Sequence, residues 1–228
     1  MKRRLRGGNT HKMDRRKFVR GMAAITAAVM LKPSLLYAQQ KSEKKEQEKP
    51  EKQEKPKEED KEYKKGLDGP MLKAAKVGDA EEVERLLDEG ADPNAMNQKN
   101  ESTALMMASR AGHIEVVKLL LDAGADANAK NILGRTALMM SARNGKTEVV
   151  ERLLEEENID VNAKDKPYRN TALMVAVMKY KVDTVKALLK HPKIRVNAKN
   201  EDGHTALYFA EYYDWEDLIK LLKEHGAK

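Results

Sequence analysis

The fold class that this sequence predicts is all-α, a solenoid of about five stacked helix-turn-helix units with projecting loops, and three observations predict it. The stretch TALMMASRAGHIEVVKLLLDAGADANA (103–129) returns as TALMMSARNGKTEVVERLL from Thr136 and as TALMVAVMKYKVDTVKALL from Thr171. Gly78, Gly112, Gly145, Tyr180 and Asp214 occupy one recurring slot, at intervals of 34, 33, 35 and 34 residues. A fixed period of this size marks units that cannot bury an apolar face alone and do so by stacking. The repeated stretch also holds no nucleophile, metal cluster or phosphate loop, so its recurrence serves packing and surface presentation.

The first element is a basic leader. The 228-residue chain has a formal net charge of +7, but residues 1–38 hold ten Lys/Arg and one acid, Asp14, while residues 39–228 sum to −2. The basicity therefore lies outside the repeats, and no nucleic-acid partner is expected. From Met13, the segment has a charged front (Arg15, Arg16, Lys17, Arg20), an apolar run from Gly21 to Leu31, and a small residue, Ala38, after SLLY. That is the layout of a secretory signal removed near Ala38. The apolar run is about half the ~20 residues of a spanning helix, and Lys32-Pro33 interrupts it, so no stable membrane span is expected in the mature chain.

Arg15, Arg16, Phe18, Val19 and Arg20 also resemble the twin-arginine export signal. That resemblance implies a periplasmic or secreted protein of a bacterial envelope, exported after folding. An ordinary secretory signal with a chance arginine pair is the alternative, and Met1 and Met13 both stand as starts. The chain has no cysteine, which excludes disulfides, thiolate zinc sites and thiol nucleophiles.

The second element, residues 39–65, is a Lys/Glu-rich spacer. Its core, KSEKKEQEKPEKQEKPKEEDKEYKK, has ten Lys, nine acids and no apolar residue except Tyr63. It cannot bury enough surface to offset the entropy of ordering, which predicts a disordered linker.

The third element, 66–228, is the repeat domain, with copies at 69–102, 103–135, 136–170, 171–204 and 205–228. Thr103, Thr136, Thr171 and Thr205 precede apolar runs, where a hydroxyl caps free helix N–H groups. Gly112 breaks the first helix of its copy. Val116, Val117, Leu119, Leu120 and Leu121 give the second helix an apolar stripe, and Gly124 ends it at a left-handed position. Copies three and four each hold one extra residue in place of that glycine, in EEENIDVNA and KHPKIRVNA. Asn158 is expected to take the left-handed position in the former, and Pro192 to turn the chain differently in the latter. The first and last copies carry polar residues where an end cap needs them.

The period, the T-A-L-M starts and GHIEVVKLLLDAGADANA (112–129) resemble ankyrin repeats over residues 69–228. The resemblance implies hairpin fingers between copies and a concave face, built from fingertips and first helices, that holds a protein. It also contains departures. The family's Pro and His are replaced by Ala104/Met106, Ala137/Met139 and Ala172/Met174. Methionine packs but does not tie adjacent loops by hydrogen bonds, so some loosening is expected.

No enzyme and no cofactor is expected. Of the five histidines, none sits at metal-ligand spacing, and no G-x-S-x-G, Walker or G-x-G-x-x-G motif occurs. His113 reads as structural. The resemblance places a protein partner against Lys99, Asn100, Ser102, Arg110, Ile132, Leu133, Arg135, Arg143, Asn144, Tyr168, Asn170, Met178, Lys179, His204, Tyr212 and Tyr213. Ile132-Leu133 forms an apolar pair at a fingertip, and the aromatic residues crowd into the last two copies, where Tyr208 and Phe209 are expected in the core and Trp215 over the C-terminal end. Tyr, Trp and Arg dominate interface hot spots. The function expected is a monomeric, non-catalytic interaction scaffold; the alternative is a secreted effector or inhibitor that modulates a host or competitor enzyme.

Overall fold

The computed structural model describes the backbone of residues 58–228 and the side chains of 66–228. The leader, the export motif, Ala38 and most of the spacer lie outside the described residues. Among the described residues, ten helices follow in order: α1 (Glu58–Val77), α2 (Ala80–Asp88), α3 (Ala104–Ala111), α4 (Ile114–Asp122), α5 (Ala137–Asn144), α6 (Thr147–Leu154), α7 (Ala172–Met178), α8 (Val182–Leu189), α9 (Ala206–Tyr212) and α10 (Glu216–Glu224). The described residues contain no strand, only one isolated antiparallel bridge between Met96 and Thr103. The odd-numbered helices pack in sequence as one layer, α2, α4, α6 and α8 pack as a second, and each odd helix packs on the even helix that follows it. The all-helical repeat solenoid expected from the period is the observed fold.

One continuous core runs between the layers, from Met71 and Leu86 through Leu105, Leu120, Leu138, Leu153, Leu173 and Leu188 to Leu218 and Leu222. Small residues on the first helices (Ala104, Ala108, Ala137, Ala142, Ala172, Ala176, Ala206, Ala210) are buried, which lets neighbouring helices approach closely. Met106, Met139 and Met174, standing in the histidine position, are buried as packing. The threonine caps form as expected: the hydroxyls of Thr103, Thr136, Thr171 and Thr205 accept from the N–H of Met106, Met139, Met174 and Tyr208.

The recurring slot has one conformation in all five copies. Gly78, Gly112, Gly145, Tyr180 and Asp214 have φ of 86°, 92°, 66°, 50° and 58°. In the first three copies a side chain of the next copy lies across the glycine. A Cβ on Gly78 would stand 2.4 Å from the His113 ring, and one on Gly112 or Gly145 would stand 2.7 Å from Lys146 or Lys181. His113 is structural in this sense, with Nε2 3.2 Å from the Lys76 carbonyl oxygen. The Tyr180 ring instead meets Trp215 of the next copy at 5.0 Å.

Two expectations are corrected. Helix α1 begins at Glu58, inside the stretch expected to be disordered up to residue 65. Glu and Lys are good helix formers, and here they extend a helix whose C-terminal part is packed in the core through Met71, Ala74 and Ala75. Asn158 does not take a left-handed conformation. The extra residue of copy three lets the chain leave α6 by right-handed turns, starting from Glu155 in the αR region, so no left-handed residue is needed.

Candidate protein-binding face

The fingers are positioned by two rows of asparagine-like side chains. In the first row, Asn97, Asn131, Asp165 and Asn200 each donate their N–H across the finger, to the carbonyls of Ser102, Arg135, Asn170 and His204. Their side chains also accept within the turn: Asn131 Oδ1 from the N–H of Leu133 and Arg135, Asp165 Oδ1 from that of Asn170, and Asn200 Oδ1 from those of Asp202 and His204. Adjacent fingers are joined by Ile132 N–H to Asn100 O (3.2 Å), Lys166 N–H to Leu133 O (2.8 Å) and Glu201 N–H to Tyr168 O (2.8 Å). Finger length alternates: five residues separate Asn97 from Thr103 and Asp165 from Thr171, but four separate Asn131 from Thr136 and Asn200 from Thr205. The longer fingers turn on left-handed Glu101 and Arg169, the shorter ones on Gly134 and Gly203.

The second row is Asn94, Asn128, Asn162 and Asn197, the asparagines of the recurring N-A pair. Each Oδ1 accepts from a backbone N–H one copy onward: Asp126 (2.8 Å), Asp160 (2.7 Å), Arg195 (2.8 Å) and Lys228 (2.8 Å). Asn128, Asn162 and Asn197 also donate through Nδ2 to the carbonyls of Asn158, Lys193 and Gly226. This row ties the loops of adjacent copies by a route other than the missing histidines. The recurrence of N-A was visible in the sequence, but its bonding was missed because it runs between copies.

The expected face residues differ in exposure. Arg110, Arg143, Asn144, Lys179 and Tyr212 are exposed on the last turns of the first helices or just beyond. Ile132 (51 % exposed), Leu133 (41 %) and Tyr168 (61 %) stand out on fingers. Met178, Arg135 and His204 are half-buried. Arg135 lies 3.9 Å from Asp165 in an ion pair, and His204 is stacked on Tyr208 at 3.7 Å. Asn144 Nδ2 donates to Met140 O, closing its own helix. Lys99 and Asn100 are exposed, whereas Ser102 and Asn170 are buried: the Asn131 and Asn200 side-chain amides donate to them and join the fingers. These two are fold residues rather than contact residues.

Burial raises the Asp165 carboxyl above the usual carboxylate range, against the opposing effects of its hydrogen bond from Asn170 and of Arg135 and Arg143.

The aromatic residues form a chain of touching rings. Tyr180 meets Trp215 at 5.0 Å, Trp215 meets Tyr213 at 4.8 Å, Tyr213 meets Tyr212 at 5.0 Å, Tyr212 meets Tyr208 at 6.1 Å, and Tyr208 stacks on His204. Tyr208, expected in the core, is exposed. Its ring takes the place of the buried methionines but lies flat between His204 and Tyr212. Phe209 is partly buried against the core, and Trp215 bridges the last two copies.

Between the first finger and the first helices lies an open depression of about 470 Å³, lined by residues that include Asn100, Met107, Arg110, Met140 and Lys76. Among the described residues, no three His, Cys, Asp or Glu gather as metal ligands would, and no helix is long and apolar enough to cross a membrane.

A family model described as ankyrin repeats (3 copies) matches residues 71–165 and 159–228. No curated protein matches the chain.

Proposed function

Because the chain belongs to the ankyrin-repeat family, whose repeats generally mediate protein–protein interaction, we propose that it is a non-catalytic scaffold of a bacterial envelope. In this reading it is exported through its N-terminal signal, is monomeric, and holds one partner protein against its concave face. The observation that carries the reading is the state of the fingertips. Ile132, Leu133 and Tyr168 stay exposed on backbone that is hydrogen-bonded from finger to finger. Apolar side chains held at low conformational cost are what an interface needs, because less ordering entropy opposes binding.

The test is site-specific photocrosslinking in the full chain. A photoreactive residue at Leu133 is expected to form an adduct with a partner that one at Glu151, on the outer helix α6, does not. Ile132→Ser with Tyr168→Ser is expected to weaken that capture by about 2 kcal/mol or more while helical circular dichroism is unchanged. Equal crosslinking at both positions removes the concave-face assignment. Fractionation addresses location: retention in the periplasm supports a resident scaffold, and release into the medium supports the effector or inhibitor reading.

A further inference from the structure

Resting on the protein-binding reading above, we propose that the face selects an acidic partner segment, with carboxylates over the first three copies and an apolar end over the rings of the last. Charge is unevenly placed on the repeat unit. The described side chains carry more acids than bases, 27 against 24, yet helices α3, α5 and α7 hold no acid at all. Twelve of the acids sit on the even-numbered helices, such as Glu81, Glu82, Glu84 and Asp88 on α2, and most of the others lie in the loops.

The cations of α2, α4, α6 and α8 are engaged locally: Arg85 with Glu82 and Glu89, Lys118 with Glu115, Arg152 with Asp122 and Glu156, and Lys186 with Asp183. Lys76, Arg110 and Arg143 occupy one register on α1, α3 and α5. None of the three forms an ion pair among the described residues. Met178 and Tyr212 continue that register on α7 and α9. The row therefore changes along its length from guanidinium and ammonium groups to a thioether and then an aromatic ring.

Packed helices lie about 10 Å apart, and an extended chain advances about 3.3 Å per residue. A carboxylate about every third residue would meet each cation in turn, and about twelve residues would reach from Lys76 to Tyr212. Exposed cations outside ion pairs select by complementarity, since a basic or neutral segment leaves them unpaired. A single-stranded nucleic acid also seeks cations and rings, but a long polyanion meets the acidic excess of the whole unit, and the Tyr208 face it would stack on is already covered by His204.

The probe is a twelve-residue synthetic peptide with glutamate at every third position over its first two-thirds and leucines at its end, compared with its glutamine counterpart. With the full chain at low salt, the glutamate peptide is expected to bind about tenfold or more tightly, with the gap closing as salt rises to about 0.5 M. Arg110→Glu with Arg143→Glu removes the gap, as does the milder Arg110→Gln with Arg143→Gln. Lys193→Glu with Lys220→Glu, the same charge change away from this row, leaves it in place.

Equal loss in the two charge-reversed variants overturns the proposal, as does no binding of the glutamate peptide at millimolar concentration. So does tighter binding, through Arg110 and Arg143, of an oligothymidylate of equal length. If both peptides bind equally and both are lost on Tyr212→Ala, the acidic selection fails while the protein-binding face stands.

Discussion

The first three copies and the last two build the same hairpin on different surfaces. In the early copies the left-handed slot is glycine, and His113, Lys146 or Lys181 of the next copy lies directly across it. In the late copies the same slot holds Tyr180 and Asp214 at φ of 50° and 58°, and the joint is made by ring contact between Tyr180 and Trp215, with Tyr180 Oη donating to Asp217 Oδ2 at 2.9 Å. The exposed register follows the same division, basic in the early copies and apolar in the late ones. The repeat skeleton thus tolerates two ways of sealing one copy to the next, and the choice decides which side chains reach solvent.

The largest test of this contrast is Trp215→Ala. It removes the ring that joins Tyr180 to Tyr213, and a half-buried aromatic of this kind is expected to cost about 3 kcal/mol in urea unfolding. Hydrogen exchange is expected to show α9 and α10 losing protection while α3 to α6 keep theirs, because stability in a solenoid is close to nearest-neighbour. Uniform loss along the stack would break the division into two regions.

A reciprocal pair comes next. Gly112→Ala forces a Cβ into a left-handed residue at φ 92° and against Lys146, and is expected to destabilise by about 1–2 kcal/mol. Asp214→Gly relaxes the same slot in the last copy, where the residue is exposed, and is expected to stabilise by about 0.5 kcal/mol. If both changes lower the melting temperature, backbone handedness does not govern the slot.

The smallest effect is pH-dependent. Because burial raises Asp165 in the folded state, its contribution is fully present below its unfolded value and is lost as pH rises through the folded one. Asp165→Asn keeps the acceptor for Asn170 and matches Asn131 and Asn200 in the neighbouring fingers. It is expected to raise Tm slightly at pH 7, with the difference vanishing below about pH 4. A difference that persists in acid would assign the effect to packing instead.

Much of the fold was legible because its determinants are local. A threonine hydroxyl three residues before the N–H it caps, or a glycine that must turn left, writes itself into a single copy. Repetition then confirms it. What was not legible is what one copy does to the next. The role of the Asn94, Asn128, Asn162 and Asn197 row does not show within one copy because its partners stand about thirty residues away. Tyr208 read as core because its neighbours in register are buried methionines, and only the His204 and Tyr212 rings beside it show why it lies in the open. Repeat register puts Arg110, Arg143 and Tyr212 at matching positions, and all three are exposed. Register could not tell Ser102 and Asn170, which hold fingers together, from Asn100, which reaches solvent.

The way fingers join has an architectural consequence. In each joint the donor N–H belongs to the residue just after Asn131, Asp165 or Asn200, and the acceptor carbonyl stands three residues before Thr103, Thr136 or Thr171, so the extra residue of a long finger falls between the two anchor points and length is uncoupled from docking. A graft, deletion or duplication of one copy would keep both anchors of every joint, whatever the lengths of the fingers it brings together.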